Sequence, residues 1–546
     1  MNIPSAHPLK KTEDQFFSYL ASFFLLFFLF CAVLGWLNQL SAPESWPRHA
    51  ALPISLISAV VAASWLTGMG HRLMLPIFSG LMLSAGFLYI SGLYLDFSWD
   101  GLAYHQRAIY AILKGESFLA NDAPTTNIWV NHYTKGTWFY AATIISWFGR
   151  PEFGTSYHLI LPAAAATYLY RFCRLSSRGR VLSGLLALIS FFNPVTLAQW
   201  FTYYNDAPLG ALGVLLFLSA ALMTRERRRI DVFVFTASAI LAINIKASGV
   251  IPVASAFLYL AVVGLWRTRS VWATVKHLVV PFAIFCVMGI GVLGYSPYVQ
   301  NLVHHRHIFY PLAGEKAVDI ITANAPYGFT RQNRFHNLFL SVFSKSEDLS
   351  LTRNQGTPTL KIPGTMEESE LKEFLKADPR ISGFGPLYSL MLLAAALMFL
   401  AVRMNWSVCG PLLFMVGTAI VVNPHSWWAR YTPFMWLLPL IPIIGIASIR
   451  SRLAALLSSV VVVAAIVNVG AIMWTWFEYY PAVNKMVQNR AAAQRHRILK
   501  IYTGPFATEM QMKSLGLKYE LVGKNYYESH KEKFFMMATG IEYEME

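Results

Sequence analysis

Acidic residues are scarce in this chain: 28 of its 546 residues are Asp or Glu, and charged residues of both signs make up only 13%. So few charges, together with 55% hydrophobic residues and a mean hydropathy of +0.45, exclude an ordinary soluble globular protein. Ionisable groups are costly near a bilayer, so an acidic residue beside a long apolar run is a candidate functional residue.

Cysteine is also rare, and its four positions lie in or at the edge of apolar runs: Cys31, Cys173, Cys286 and Cys409. No CxxC or Cys/His spacing is present, so the sequence indicates neither a disulfide framework nor a thiolate metal site. Internal repeats and low-complexity linkers are absent as well.

The excess of basic residues gives a net charge of +16. Lys and Arg cluster in short gaps between apolar runs, where they orient helices and contact anionic membrane lipids. No basic surface interleaved with aromatic residues is apparent, so no nucleic-acid partner is predicted.

Apolar runs of roughly 17–25 residues predict an all-α polytopic membrane protein with about thirteen transmembrane helices. The predicted spans are 16–38, 51–67, 72–95, 154–172, 181–200, 207–223, 231–247, 249–266, 277–297, 384–402, 408–423, 431–449 and 453–476. A further apolar stretch, Thr137 to Phe148, is too short to span and is predicted to be an interfacial helix lying along the surface.

Thirteen spans place every basic cluster on one side, which the positive-inside rule identifies as cytoplasmic. These clusters are Lys10/Lys11, His71-Arg72, Arg171/Arg174/Arg178/Arg180, Arg225/Arg227/Arg228/Arg229, Arg267/Arg269, Arg403 and Arg450/Arg452. The predicted topology therefore has a cytoplasmic N-terminus and an extracytoplasmic C-terminus, as in a multi-pass protein of a bacterial inner membrane.

Five regions follow from this topology. They are two additional N-terminal helices (1–71), a transmembrane core (72–297) with an extracytoplasmic loop (96–153), a long extracytoplasmic loop (298–383), C-terminal transmembrane helices (384–476) and an extracytoplasmic tail (477–546). The long loop contains a predicted amphipathic helix at 367–376. The order strand (498–503), helix (506–515) and strand (518–522) predicts a small α/β appendage in the tail.

Two carboxylates, Asp96 and Asp100, lie just after the third apolar run. If the helix continues past Leu95, their four-residue spacing places them on one face. A carboxylate in that partly desolvated setting can act as a base towards an acceptor hydroxyl. The simpler interpretation is that both residues only end the helix at the membrane interface.

Other charged residues are predicted on the same outer side. Asp206 lies at the turn between two spans, where it also suits a helix start. Lys246 and Arg430 are basic residues that the positive-inside rule leaves unexplained. Both suit a lipid-linked phosphate, Arg as a bidentate fork and Lys as a point charge, although either could instead contact headgroups. Neighbouring side chains complete the predicted substrate-binding set: Tyr104, His105, His132, Asn205, His425 and Tyr431.

The order of these motifs resembles the GT-C superfamily of polytopic membrane glycosyltransferases, which includes protein mannosyltransferases and lipid A aminoarabinose transferases. The resemblance covers about residues 72–450. It is carried by Asp100-Gly-Leu-Ala-Tyr104-His-Gln-Arg-Ala108, Gly149-Arg-Pro-Glu-Phe153, Arg171–Arg174, Asn193-Pro194, Tyr204-Asn-Asp206-Ala-Pro-Leu, Lys246 with Gly249, and Arg430-Tyr431 before three prolines.

The resemblance implies inverting transfer of a sugar from a polyprenyl-phosphate-linked donor to a hydroxyl of an envelope glycan, lipid or protein. Asp100 would be the base, with Asp96 as the alternative, and Asp206 would orient the acceptor or a metal. Lys246 and Arg430 would hold the donor phosphate. The need for a divalent cation at Asp100 and Asp206 stays open. A flippase or transporter of lipid-linked sugars and a polysaccharide ligase or polymerase are the competing hypotheses.

Overall fold

The computed structural model describes residues 11–40, 48–68, 73–119, 125–352, 355–447, 451–501, 509–523, 535–538 and 541–544. Within these ranges the chain forms 22 α-helices and two small two-stranded sheets. The predicted all-α architecture is therefore confirmed at the level of secondary structure.

The first twelve helices build the N-terminal half of the molecule. They are α1 (Lys11–Leu37), α2 (Ala51–Thr67), α3 (Met74–Ser91), α4 (Gln106–Lys114), α5 (Ile128–His132), α6 (Gly136–Phe148), α7 (Tyr157–Leu175), α8 (Arg180–Phe191), α9 (Pro194–Gln199), α10 (Asp206–Met223), α11 (Arg229–Ile245) and α12 (Val250–Thr268).

The remaining helices include the short ones of the long loop. They are α13 (Val271–Ile284), α14 (Gln300–His305), α15 (Ile320–Asn324), α16 (Arg334–Phe343), α17 (Glu368–Lys372), α18 (Tyr388–Ala401), α19 (Trp406–Val422), α20 (Ile441–Gly445), α21 (Arg452–Gln494) and α22 (Glu509–Ser514). A π-helical stretch, Phe285–Val292, prolongs α13, and a 3-10 helix, Pro433–Leu440, precedes α20.

Six helices among the described residues are long and apolar enough to cross a membrane, which indicates a multi-pass membrane protein. They are Lys11–Leu37, Met74–Ser91, Asp206–Met223, Ala247–Thr268, Val271–Val292 and Arg452–Gln494. The other seven predicted spans also fall on helices, but these helices are shorter or less apolar. The predicted span 181–200 is divided into α8 and α9, because Asn193 caps a new helix that begins at Pro194.

Helix α10 lies at the centre of the bundle, where it packs against α7, α11 and α12 and has 94% of its residues buried. At one end of the bundle, Asp14 of α1 pairs with Arg171 at 2.7 Å and with Arg228 at 2.9 Å. Two of the predicted cytoplasmic clusters thus share the end at which α1 begins. The 18 residues of α10, about 27 Å of helix, separate this end from Asp206.

The expectation for Thr137–Phe148 is wrong in one respect. A helix does form there, but Trp138 and Tyr140 are fully buried, and α6 packs against α1 and α4 instead of lying along the surface. Gly35 of α1 explains the close packing, since a Cβ at this position would overlap the backbone of Phe139. Only the end of α6, near Trp147, is exposed.

The long loop and the tail contain the predicted small elements. Helix α17 and a 3-10 turn, Glu373–Leu375, occupy the predicted amphipathic segment. Helix α21 continues 18 residues past the predicted end of its span at Trp476. Strands β1 (Ile498–Ile501) and β2 (Lys518–Leu521) then pair in parallel on either side of α22 in sequence.

This order confirms the predicted strand, helix and strand, although residues 502–508 lie outside the described part. Strands β3 (Phe535–Ala538) and β4 (Ile541–Glu544) form a separate antiparallel pair.

Candidate functional site

A segment without regular helix separates α3 from the next helical residues. Helix α3 ends at Ser91, the helical conformation resumes at Trp99, and a π-helical turn, Gly101–His105, leads into α4. The helix does not continue past Leu95, so the condition for Asp96 and Asp100 to share one helix face is not met: Asp96 precedes the new helix and Asp100 lies within its first turn.

The guanidinium of Arg430 contacts three carboxylates. Its Nη2 lies 3.2 Å from Oδ2 of Asp100, its Nε lies 3.0 Å from Oδ2 of Asp206, and its Nη1 lies 3.1 Å from Oδ2 of Asp378. Arg430 belongs to a 3-10 turn, Ala429–Tyr431, after α19. We call these four residues, together with Lys246, the charged cluster.

Lys246 joins the charged cluster through Asp206. Its Nζ forms an ion pair with Oδ1 of Asp206, while Gln199 donates a 2.9 Å hydrogen bond to Oδ2 of the same carboxylate. Asp206 is fully buried at the first position of α10, so it depends on these partners for stabilisation of its charge.

Aromatic rings enclose the two basic side chains. The Arg430 guanidinium carbon lies 4.8 Å from the ring centre of Tyr204 and 5.5 Å from that of Trp428. The Lys246 ammonium lies 4.3 Å from the ring centre of Tyr431. Such contacts stabilise a cation and hold the planar guanidinium in one orientation.

Burial and ion pairing oppose each other at this cluster. Burial disfavours the charged form of Arg430, but Asp206, Asp378 and Asp100 outweigh it, and the pKa of Arg430 is raised. At Asp378 burial dominates over the attraction of Arg430, so the pKa of this carboxyl is also raised. The arginine is thus held firmly in its charged state, and Asp378 is the carboxylate that protonates more easily than usual.

The charged cluster borders a cavity of about 1870 Å³ between the helix ends and the long loop. Asp100, Lys246 and Arg430 line it from the helical side, and Asp378 and Arg380 line it from the long loop. Asp206 does not line the cavity, because it is covered by the two basic residues that it binds.

The other predicted binding residues divide into two groups. Tyr104, His132, His425 and Tyr431 line the same cavity, and Nδ1 of His132 lies 2.8 Å from Oδ1 of Asn301.

His105 and Asn205 are buried behind it. His105 Nδ1 accepts a 2.7 Å hydrogen bond from the indole of Trp138, and Asn205 donates to the carbonyl of Ile245 at 3.1 Å. Burial lowers the pKa of His105 well below its ordinary value.

Asp96 is also buried away from the cavity, with an exposed fraction of 4%. Its Oδ1 accepts a 2.7 Å hydrogen bond from the backbone N–H of Ser98, and its Oδ2 accepts one of 2.9 Å from the N–H of Tyr203. The structure therefore brings Asp100, but not Asp96, to the cavity wall.

Sequence reasoning missed two members of this site, Asp378 and Arg380. Asp378 accepts a 2.7 Å hydrogen bond from the indole of Trp428, while Arg380 pairs with Asp348 and its guanidinium carbon lies 5.6 Å from the ring centre of Trp428. The signal was an Asp-Pro-Arg sequence two residues after the end of the predicted amphipathic helix, where two opposite charges flank a proline.

Among the described residues, no group of three or more His, Cys, Asp or Glu side chains is arranged to hold a metal ion. The two carboxylates considered for a cation, Asp100 and Asp206, instead share Arg430. No family model, curated protein or solved structure matches the chain. The functional interpretation therefore depends on the geometry of the charged cluster and its cavity.

Proposed function

We propose that the protein is a membrane glycosyltransferase that moves a sugar from a polyprenyl-phosphate-linked donor to an acceptor hydroxyl at the extracytoplasmic face. The observation that carries this proposal is the position of Asp100, whose carboxylate pairs with Arg430 at the wall of a large cavity that Lys246 also lines. A base next to two cations suits a reaction that removes a proton and releases an anionic phosphate.

Asp100 is the proposed base. Its side chain is 19% exposed, and its contact with the rest of the charged cluster is the 3.2 Å pair between Oδ2 and Arg430. In the proposed step a carboxylate oxygen takes the hydroxyl proton while the acceptor oxygen forms a bond to the anomeric carbon. The bond from that carbon to the phosphate oxygen breaks, and its electron pair leaves with the phosphate.

Arg430 and Lys246 are proposed to bind the donor phosphate and to stabilise the charge that it gains on leaving. Each nitrogen of the Arg430 guanidinium lies within 3.2 Å of a carboxylate oxygen, so an incoming phosphate competes with these carboxylates for Arg430. Asp100 is the most exposed of the three. Its replacement by phosphate would release the carboxylate of Asp100 towards the acceptor.

Asp206 receives a more specific role than orientation of the acceptor. Because it is fully buried and contacts Lys246 and Arg430, it is proposed to hold the two cations in place. Its removal would leave two buried positive charges without their shared partner, which is costly.

The experiment uses purified protein in lipid vesicles with radiolabelled polyprenyl-phosphate sugars and measures transfer and hydrolysis. We expect Asp100→Asn to lower the rate by about 100-fold or more, the usual contribution of a general base. Glu226→Gln is the matched control, since Glu226 is an exposed carboxylate that pairs with Arg228 away from the cavity. Full transfer by Asp100→Asn would contradict the assignment of the base.

The same experiment separates the competing hypotheses. Movement of the lipid-linked sugar across the bilayer without transfer would favour a flippase. Transfer of a preassembled glycan, but not of a single sugar, would favour a polysaccharide ligase or polymerase.

A further inference from the structure

We propose that Asp96 is a positioning residue, whose carboxylate ties the segment that carries Asp100 to the segment that carries Asp206. This inference rests on the proposed function in one respect, since Asp100 is the group being positioned. It gives Asp96 a different role from that of a base.

The link runs through two backbone amides. Oδ1 of Asp96 accepts from Ser98 within its own segment, at 2.7 Å, and Oδ2 accepts from Tyr203, at 2.9 Å, although Tyr203 lies 107 positions further along the chain. Asp100 follows Ser98 by two residues, and Asp206 follows Tyr203 by three. One carboxylate thus connects the backbones next to two of the three acidic members of the charged cluster, Asp100 and Asp206.

Gly101 makes room for this arrangement. A Cβ at Gly101 would overlap the Asp96 carboxylate and would lie 2.6 Å from Oγ of Ser98. The Asp96 carboxylate occupies the space that a side chain at position 101 would need, and only glycine fits there. Gln106 adds a further constraint, since its Nε2 donates to the backbone carbonyl of Asp96 at 3.2 Å.

Residues of β1 and α22 also contact the segment around Asp96. Nε2 of Gln511 donates to the same Asp96 carbonyl, and the neighbouring Leu95 packs into an apolar cluster with Leu499 and Met512. Ser514 donates a 2.6 Å hydrogen bond to Glu152 on a third element. Side chains from several parts of the chain thus fix the backbone at Asp96.

The same contacts exclude Asp96 from proton transfer with an acceptor in the cavity. Both of its oxygens accept amide hydrogens, its exposed fraction is 4%, and it does not line the cavity. A residue that acts on Asp100 through the backbone should affect the rate of the reaction more than the binding of substrate.

The first test is hydrogen exchange, which needs no turnover. Asp96→Asn keeps one side-chain oxygen for Ser98, but it turns an amide N–H towards the N–H of Tyr203. We expect the Tyr203 amide to exchange about 10-fold faster, as the loss of one buried hydrogen bond predicts. Asp231→Asn is the matched control, because Asp231 is an equally buried carboxylate that binds Arg171 and Tyr168 instead. Unchanged exchange at Tyr203 in Asp96→Asn would overturn the proposal.

The second test is steady-state kinetics of sugar transfer per folded protein. Asp96→Asn should lower kcat about 10- to 100-fold while KM for the donor stays within about 3-fold, since misplacement of a catalytic group acts mainly on the chemical step. Asp231→Asn should change neither value. A rise in KM at constant kcat would overturn the positioning role. If the wild type transfers no sugar and Asp96→Asn still exchanges the Tyr203 amide faster, the link through Asp96 is supported and the proposed function is refuted.

Discussion

Nη2 of Arg430 lies 3.2 Å from Oδ2 of Asp100 across 330 positions of the sequence. This pair joins the segment after α3 to the turn after α19. It closes a cluster in which one guanidinium serves three carboxylates, and it determines how substitutions in that cluster should behave.

Arg430→Gln should destabilise the protein by about 3–5 kcal/mol, because it leaves three neighbouring carboxylates without their common partner. Arg430→Lys should destabilise the protein less, since an ammonium keeps the positive charge but cannot contact all three carboxylates as the planar guanidinium does. The free energy of unfolding in mild detergent measures both. Adding Asp378→Asn to Arg430→Gln should recover part of the loss, and a further loss in the double variant would contradict this account.

Asp378→Asn should strengthen donor binding. The amide oxygen can still accept from Trp428, but Arg430 loses one of the carboxylates that compete with a phosphate. If the proposed function is correct, KM for the donor should fall about 3- to 10-fold, as expected for a change of about 1 kcal/mol. Glu368→Gln, an exposed acid of the same loop that pairs with Lys372, is the control and should leave KM unchanged.

The stability of the protein should depend on the ionisation of Asp96. Burial raises the pKa of the Asp96 carboxyl from 3.8 to about 6, against hydrogen bonds that lower it. The folded state therefore binds this proton more tightly than the unfolded state. The free energy that the protonated Asp96 contributes to folding is fully present below pH 3.8 and is lost as the pH rises through about 6.

This effect is isolated by the difference in unfolding free energy between the wild type and Asp96→Asn. The difference should fall by about 2 kcal/mol between pH 4 and pH 7, since one pKa unit corresponds to about 1.4 kcal/mol and part of the change lies below pH 4. A constant difference would show that folding leaves the pKa of Asp96 unchanged, and a difference that grows with pH would show that its hydrogen bonds outweigh burial and lower the pKa.

Gly101→Ala should destabilise the protein by about 1–3 kcal/mol, because the new methyl group overlaps the Asp96 carboxylate. Gly184→Ala in α8 is the matched control. A Cβ at Gly184 meets no heavy atom within 4 Å, so this change should stabilise the helix by up to about 1 kcal/mol. Equal effects of the two substitutions would show that the space beside Gly101 is not restricted.

Hydropathy located the helices well because each predicted span contains enough apolar residues to require burial or lipid. Hydropathy did not predict burial correctly where the packing of one helix against another determines it. Gly35 lets α6 enter the core, and no property of the α6 sequence alone indicates this. The predicted span ended at Trp476 because polar residues follow it. Helix α21 nevertheless continues to Gln494, and many of these polar side chains lie on its exposed face.

The site was predictable only in part for a similar reason. Asp100, Lys246 and Arg430 are charges at the ends of apolar runs, and the topology placed them on one side. The contact of Asp96 with Tyr203 depends on the path of the chain after Ser91, which a helical spacing argument could not foresee. Asp378 lies in a long loop without periodicity, so its distance to Arg430 could come only from the fold.

Helix α21 has 43 residues, and its length of about 65 Å is roughly twice the hydrocarbon thickness of a bilayer. About half of its length therefore exceeds that thickness, and Pro481 lies within this C-terminal half. The C-terminal half leads to the strand–helix–strand unit that contacts the backbone at Asp96, and its Asn484 donates to the carbonyl of Leu93. The position of this unit beside Asp96 is thereby set by the number of helical turns, so a deletion of about one turn from the C-terminal half would shift the support of Asp96 by about 5 Å without touching the charged cluster.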